Sequence, residues 1–302
     1  MLNNSTQLVR FDWAIKHILR DKANFVVLEG FLSVLLKESV IIKAVLSSEA
    51  QQYTADDKYN DVDVLVENTK GEMIIIEVQN SKENDYFQRM LYGTSKVITD
   101  YIGVGKPYAE VKKVISITIA YFDLGQGKDY VYHGKTNFVG LRQGDTLNLS
   151  KKQEELYKKT SIYQIYPEYW LIKADLLNNN NIQDDLDEWI YFFKNSEVPD
   201  HFKAQGLAAA KEKLDKLKLS AKEREEYERF VERLRKIASL KLTEIEDVRD
   251  LVSEEIEKTR EEMILKPYKK GKNANQISEF LDIELQKVEQ IITDYEQSKN
   301  KK

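Results

Sequence analysis

The 302-residue sequence contains no cysteine and only three histidines. The lack of cysteine excludes disulfides, cysteine–zinc sites and thiol nucleophiles, and it fits a reducing interior better than secretion. No run of about 18 apolar residues occurs, and the first residues lack the apolar core of a signal peptide. We therefore expect a cytoplasmic protein without a membrane partner.

An excess of positive charge and a glycine-rich phosphate loop are also missing. The net charge of −5 gives no support for a large basic surface, although a few well-placed lysines and arginines are enough to contact phosphates. The pair Gly125 and Gly127 lacks the pattern that follows in nucleotide-binding loops. The length allows a full α/β core and a second, smaller domain.

The stretch from Tyr59 to Gln79 predicts a β-hairpin. Residues 61–66 alternate acidic and aliphatic side chains, residues 68–71 are turn formers, and residues 73–78 are mostly aliphatic and β-branched. Because side chains alternate along a strand, one face should carry Asp61, Asp63 and Leu65 on the first strand and Met73, Ile75, Glu77 and Gln79 on the second.

The two acids at the ends of these strands, Asp63 and Glu77, should repel each other if both are ionised. Two carboxylates about 4 Å apart repel by about 4 kcal/mol at an effective dielectric near 20, and a divalent cation between them removes that repulsion. Oxygen ligands without histidine or cysteine favour magnesium or manganese over zinc. Alternatively, Asp61 and Asp63 are solvated strand-edge acids and Glu77 pairs with a lysine. The metal interpretation requires that Asp63 and Glu77 share a side of the sheet and are not each bound by a lysine or arginine.

The elements around the hairpin predict an α/β protein with a sheet flanked by helices. Apolar residues at helical spacing indicate an amphipathic helix over 11–19, with Asp12 and Lys16 on another face, and a buried helix over about 24–37. Another helix should follow the hairpin, with an apolar stripe at helical spacing that comprises Phe87, Met90, Leu91, Ser95, Ile98 and Tyr101. Further strands are expected in the ranges 41–46, 111–122, 129–138 and 169–176.

Several polar residues in these elements have two interpretations. Glu29 in the buried helix either faces solvent or pairs with Lys16 or Lys37, or it points into the metal site. Arg89 and Tyr92 either form surface contacts or face the strand ends, and His133 is interpreted as a strand-edge residue.

From Ile182 onward the pattern is helical. Capping boxes at Ser220/Glu223 and Thr243/Glu246 predict two further charged helices, which we interpret as solvated or as partner helices. A basic loop at 266–272 precedes two short amphipathic helices that join at Asp282. This pattern is typical of a helix-turn-helix but common in other helical hairpins. We divide the chain into 1–180, 181–264 and 265–302.

Several short motifs, in this order and spacing, resemble the PD-(D/E)XK nuclease-fold transposase family, of the recombination-promoting nuclease type. They cover roughly residues 9–180 and comprise FDWAIKHIL at 11–19, LEGFLSVLL at 28–36, DVLV at 63–66, GEMIIIEVQ at 71–79 and FQRMLY at 87–92. The implied fold is a restriction-endonuclease-like mixed sheet flanked by helices, followed by an all-α region.

The resemblance also implies roles for individual residues. Asp63 and Glu77 correspond to the metal ligands, with the Val78 carbonyl as an extra ligand, and Gln79 stands where relatives carry a lysine. Glu29 resembles the helix acid that often completes such sites, and Asp61 has no firm counterpart.

The implied activity is that of a DNA endonuclease that uses magnesium, with manganese as a substitute, and acts in recombination or mobile-element biology. Arg89 and Tyr92 would then contact phosphate. The alternative is a DNA-binding or regulatory protein that keeps the fold but has little turnover, because Gln79 cannot supply the positive charge of a lysine. Whether the protein forms a homodimer is left open.

Overall fold

This computed structural model describes residues 8–46, 63–102 and 105–300, except the side chains of residues 217 and 300. The chain divides into two compact units, Met1–Tyr227 and Glu228–Lys302. The helices between residue 180 and Tyr227 thus belong to the same unit as the sheet. The division of the chain into three domains at residues 180 and 264 stays a prediction.

The described part of the first unit contains a six-stranded mixed sheet. Its strands are Ile42–Leu46 (β1), Val64–Asn68 (β2), Met73–Gln79 (β3), Val114–Ala120 (β4), Val131–Lys135 (β5) and Glu168–Lys173 (β6). Their order is β1-β2-β3-β4-β6-β5. The strands β3, β4 and β6 run parallel, whereas the pairs β1–β2, β2–β3 and β5–β6 are antiparallel. The mixed sheet is the one that the sequence predicted.

The predicted hairpin is formed by β2 and β3. Val64 lies opposite Ile76, and the two strands are joined by a tight turn at residues 69–72. In this turn the Asn68 side-chain oxygen accepts hydrogen bonds from the main-chain N–H groups of Lys70 and Glu72, and Gly71 has a φ of +76°. A positive φ is accessible to glycine without steric cost, so the turn residues fix the register of the hairpin.

Helices flank the sheet on both faces. The first unit contains Phe11–His17 (α1), Phe25–Leu36 (α2), Tyr86–Asp100 (α3), Lys151–Tyr157 (α4), Asp185–Asn195 (α5) and Leu207–Lys213 (α6). Val97 of α3 packs on one face of the sheet with Leu65, Met73 and Ile75. The alternate residues, such as Ile76, are fully buried as well. Burial on both faces explains why β3 and β4 are nearly continuous apolar runs.

An aromatic cluster joins three of the helices. Phe11 of α1 packs against Phe31 of α2 and Phe193 of α5, with ring centroids 6.2 and 4.4 Å apart. Gly30 of α2 meets Gly206 at the start of α6 so closely that a Cβ at residue 30 would lie 2.5 Å from the Gly206 Cα. The α2–α6 contact therefore requires glycine.

The predicted stripe of α3 is confirmed in part, because Met90, Ile98 and Tyr101 pack against the core. Phe87 and Leu91 are exposed, whereas Tyr86, Thr94 and Val97 are buried. The reason is that the Tyr86 hydroxyl donates a hydrogen bond to the buried Glu77, which turns the face that contains Tyr86 toward the sheet.

The helix Ala221–Tyr268 (α7) begins near the end of the first unit and continues into the second. The Ser220/Glu223 capping box at its start is confirmed, because each residue's N–H group donates to the other's side chain. The second predicted box is wrong: Thr243 lies inside α7, and its hydroxyl donates to the Ser239 carbonyl. Nothing between the two predicted helices interrupts helical hydrogen bonding, so a single helix forms.

The second unit ends in the two predicted short helices, Ala274–Leu281 (α8) and Leu285–Asn300 (α9). They join at Asp282, which adopts the left-handed conformation with a φ of 53°. Ile264 of α7, Ile277 of α8 and Val288 of α9 form a small core. The predicted basic loop at 266–272 is shorter than expected, because α7 continues to Tyr268. A DNA-binding role for this hairpin stays a prediction.

Candidate active site

The hairpin register brings Asp63 and Glu77 together at the open end of β2 and β3. Val64 pairs with Ile76, so the preceding residue on β2 lies opposite the following residue on β3. Directly opposite side chains of an antiparallel pair project from the same face. The charge of Asp63 is one of the causes that raise the pKa of Glu77, as expected for close neighbours. The two acids therefore share a side of the sheet.

Asp63 is held by main-chain and cationic groups. Its Oδ2 atom accepts a hydrogen bond of 2.6 Å from the Val78 N–H group. Its Oδ1 atom lies 2.7 Å from the ammonium of Lys16, whose side chain is 51% exposed. Arg20 donates to the Asp63 main-chain carbonyl. Asp63 is thus bound by a lysine, and this lysine comes from α1.

Glu77 has a different environment, because it is buried against a neutral partner. Only 5% of the residue is exposed, and the Tyr86 hydroxyl donates a hydrogen bond of 2.8 Å to its carboxylate. The same hydroxyl lies 3.0 Å from the Thr118 hydroxyl. Burial raises the pKa of Glu77, and the Tyr86 hydrogen bond and the charge of Arg89 offset this in part. Asp63 is thus paired with a lysine, whereas Glu77 accepts a hydrogen bond from a neutral hydroxyl.

Gln79 and Arg89 lie beside the acids. When the Gln79 amide is oriented to satisfy both groups, its oxygen accepts hydrogen bonds from Arg89 Nη1 and Nη2 at 2.9 and 3.2 Å. Arg89 also binds the Glu83 carboxylate at 2.9 Å and lies over the Tyr86 ring. Tyr92, one turn further along α3, is exposed. The site role of Gln79 and the phosphate-binding roles of Arg89 and Tyr92 stay predictions.

Glu29 contacts the start of the sheet. Its Oε1 atom accepts a hydrogen bond of 2.8 Å from the main-chain N–H of Ile42, at the first residue of β1. Lys16, one of its two predicted partners, contacts Asp63. A catalytic role for Glu29 stays a prediction, and Asp61 lies outside the described residues.

Sequence reasoning missed the part that α1 plays in this site. Asp12 is buried and accepts hydrogen bonds from Arg10 and from the Asn80 side chain, which follows Gln79 directly in the chain. The other charged residue of this helix face, Lys16, contacts Asp63. Asp12 and Lys16 lie one turn apart on an otherwise apolar helix. This spacing could have indicated that one face of α1 contacts the ends of the strands.

The donor atoms at this site are two carboxylates and a main-chain carbonyl. Among the described residues no group of three or more histidine, cysteine, aspartate or glutamate side chains is placed to hold a metal ion. The N–H of Met73 and the C=O of Gln79 bond toward β4, so the alternate residue Val78 turns its N–H and C=O groups toward β2 and Asp63. Magnesium is commonly held by one or two carboxylates, with water and phosphate as the other ligands. That Asp63, Glu77 and the Val78 carbonyl hold such an ion stays a prediction.

Comparison with known proteins identifies the family. The model of the PD-(D/E)XK nuclease family transposases matches residues 9–244. The chain belongs to this family. The matched range includes every strand of the described sheet, both carboxylates and the first half of α7. No curated protein and no solved structure matches the chain.

Membership in the PD-(D/E)XK nuclease family transposases indicates a nuclease related to mobile elements. It indicates DNA as the substrate class and agrees with the general use of divalent metals by these nucleases. Of the helices in the part of the chain that the structure describes, none has the length and apolar character needed to cross a membrane.

Proposed function

We propose that this protein is a magnesium-dependent DNA endonuclease, with manganese as a substitute, that hydrolyses phosphodiester bonds in recombination or mobile-element biology. The observation that carries the proposal is the placement of Asp63 and Glu77 on one face at neighbouring strand tips, with Glu77 buried against a neutral hydroxyl. A buried carboxylate of this kind favours a cation brought from solution.

Each residue of the site has a role in this proposal. Asp63, Glu77 and the Val78 carbonyl hold the ion, which, when bound, stabilises charge on the phosphate and lowers the pKa of the attacking water. The Gln79 oxygen is held by Arg89, so its NH₂ group remains to orient the water or a phosphate oxygen by donating a hydrogen bond.

Lys16 supplies the positive charge that Gln79 lacks. Its ammonium lies against Asp63, and half of its side chain is exposed, so the flexible stem can carry the charge to a phosphate oxygen. Arg89 and Tyr92 on α3 make further phosphate contacts. Glu29 has no role in this proposal, because Ile42, to which it bonds, lies opposite Asn68 at the turn end of the hairpin.

The test is cleavage of supercoiled plasmid by the purified protein with magnesium, manganese or chelator. We expect nicking or cutting with either metal and none with chelator. Asp63→Asn and Glu77→Gln should each reduce cleavage by at least about a thousandfold, because each removes a charge that binds the ion.

The matched control is Glu67→Gln, the same change on the same hairpin. Glu67 pairs with Lys43 and Lys112 away from the site, so its variant should cut at the wild-type rate. Circular dichroism checks that all three variants are folded. Metal-dependent cutting that survives in both site variants rules out the proposed ligands.

A second function, DNA binding with little turnover, is favoured by Gln79 in the lysine position and by the lysine already bound to Asp63. The α8–α9 hairpin, with Lys269, Lys270 and Lys272 in the preceding turn, would then contact DNA as a helix-turn-helix. Salt-sensitive binding without cleavage in any metal supports this function, whereas metal-dependent cleavage of the same DNA excludes it.

A further inference from the structure

A cavity of about 510 Å³ lies near the start of β4, at the other end of the strands from Asp63 and Glu77. Lys113, which lines it, directly precedes β4, and Val114 pairs with Met73 at the start of β3. Glu77 lies further along β3, about 13 Å from Met73 along the strand. The volume falls within the range of small-molecule sites, about 300–1,000 Å³. This Lys113 cavity is therefore separate from the candidate active site and large enough for a ligand of its own.

Most of the lining of the Lys113 cavity is apolar, and much of it is aromatic. The aromatic rings are those of Tyr108, Phe138, Tyr157 and Tyr166. Phe138 and Tyr166 contact each other edge to face, with ring centroids 5.4 Å apart, and both are partly exposed. Exposed rings of this kind are surfaces on which planar groups such as nucleobases stack. The lining therefore favours a ligand with a flat ring.

The polar groups of the lining are mainly hydrogen-bond donors. Lys113 and Lys159 are its charged residues, and no acidic side chain is found among the described residues that line the cavity. Gln153 and Gln164 also line it, but the oxygen of each already accepts a hydrogen bond from a main-chain N–H group at a helix start. Their NH₂ groups remain for a ligand. Two ammonium groups and two amide donors fit a ligand that is anionic and rich in acceptors.

Of the two lysines, Lys159 is the one that can serve an anion. Lys113 is only 8% exposed and lies 2.5 Å from Glu168. Lys159 is 28% exposed, and its contact with Glu72 is longer, at 3.8 Å. The other Glu72 oxygen accepts a hydrogen bond from the Asn68 side chain, so Glu72 is held by the hairpin turn. A ligand phosphate can therefore draw the Lys159 ammonium away from Glu72 at little cost.

We propose that the Lys113 cavity binds a nucleotide. The base stacks on the aromatic rings and accepts hydrogen bonds from the glutamine amides, and the phosphate is held by Lys159. An uncharged ring would leave the ammonium without an anion, and a purely aliphatic anion would leave the amide donors unpaired. The inference does not depend on the nuclease activity, because the cavity and the two carboxylates lie at opposite ends of the strands.

Isothermal titration calorimetry of the full-length protein with the common ribonucleoside and deoxyribonucleoside 5′-monophosphates tests the proposal. Chelator is present, so that no divalent ion recruits the phosphate to Asp63 and Glu77. At least one of these nucleotides should bind with a dissociation constant below about 1 mM. The matching nucleoside and inorganic phosphate should each bind at least about tenfold more weakly, because each lacks one half of the contacts.

Variants of the lining test which groups hold the nucleotide. Lys159→Gln should raise the dissociation constant about tenfold, because it removes the charge that binds the phosphate. Tyr166→Leu should raise it about fivefold, because it removes a stacking surface. Lys152→Gln is the matched control: Lys152 is an exposed lysine of α4 outside the lining, so this variant should bind like the wild type.

Circular dichroism checks that the variants are folded. The proposal is wrong if no nucleotide binds at about 5 mM, or if Lys159→Gln and Lys152→Gln bind equally well. A nucleotide that binds at the candidate active site instead would respond to Glu77→Gln and not to Lys159→Gln, and this result also overturns the proposal.

A 5′-phosphorylated single-stranded oligonucleotide distinguishes a free nucleotide from the end of a DNA strand. Binding that is at least as tight as that of the mononucleotide, and that Lys159→Gln weakens, assigns the cavity to a strand end. Binding of the oligonucleotide that is about tenfold weaker, with the mononucleotide still sensitive to Lys159→Gln, assigns it to a free nucleotide.

Discussion

Two buried glutamates of one sheet have opposite environments. Glu168, at the first residue of β6, lies 2.5 Å from the Lys113 ammonium and 2.7 Å from His133 Nε2. Burial opposes its ionisation, but Lys113 and His133 hold its pKa below the usual value. Glu77, near the end of β3, is bonded to the Tyr86 hydroxyl, and burial raises its pKa.

The comparison separates an acid whose charge the fold balances from one that is a candidate for metal binding. Glu168 has cations of its own, so its charge is balanced within the fold. Glu77 bonds to a neutral hydroxyl, the charge of Arg89 offsets its burial only in part, and Lys16 contacts Asp63 instead. Both residues are glutamates with less than a tenth of their surface exposed, so the difference lies in the partners. The following variants test this distinction.

Glu168→Gln should produce the largest loss of stability. Lys113 is only 8% exposed, and removing its carboxylate leaves a buried ammonium, which costs about 3 kcal/mol of unfolding free energy. Urea unfolding measures the loss, and DNA cleavage at low denaturant should be unchanged. Glu67→Gln is the control, because Lys43 is exposed and its loss of a partner should cost less than about 1 kcal/mol. Equal losses in the two variants would contradict a structural role special to Glu168.

Lys16→Gln should act on cleavage rather than on stability. Its exposed contact with Asp63 contributes less than about 1 kcal/mol, whereas its charge near the phosphate should be worth about tenfold or more in cleavage rate. Single-turnover cleavage at saturating magnesium measures the second effect and urea unfolding the first. Lys16→Arg should recover part of the rate. A variant that loses stability and keeps its cleavage rate would make Lys16 a structural partner like Lys113.

Glu77→Gln should have a smaller effect on stability than Glu168→Gln, and in the opposite direction. It removes a buried charge and keeps an oxygen that accepts from Tyr86, so we expect a gain of about 1 kcal/mol in the absence of divalent ions. Urea unfolding with chelator measures it. A loss of the same size would show that the fold already balances this charge.

The hairpin and the pairing of the two acids could be predicted from sequence because both are local. Asn68 and Gly71 fix the turn, and once the turn is fixed, period-two alternation decides that Asp63 and Glu77 share a face. The roles of Lys16 and Tyr86 could not be predicted, because they depend on how helices distant in sequence pack on the strand tips.

The two errors in the helix predictions, the exposed Phe87 of α3 and the absent second capping box of α7, have separate physical causes. In α3, adjacent residues 86 and 87 are both aromatic, and only the contact between Tyr86 and Glu77 decides which one is buried. In α7, a threonine followed three residues later by glutamate is also an ordinary combination inside a helix, where the hydroxyl bonds to the preceding turn.

The hairpin also has a consequence for folding. Both acids belong to one hairpin, so they meet as soon as a single short loop has closed, at little entropic cost. The parallel contacts of β3 with β4 and of β4 with β6 need long crossovers and should form more slowly. The nascent chain can therefore bring both carboxylates together before the rest of the sheet exists.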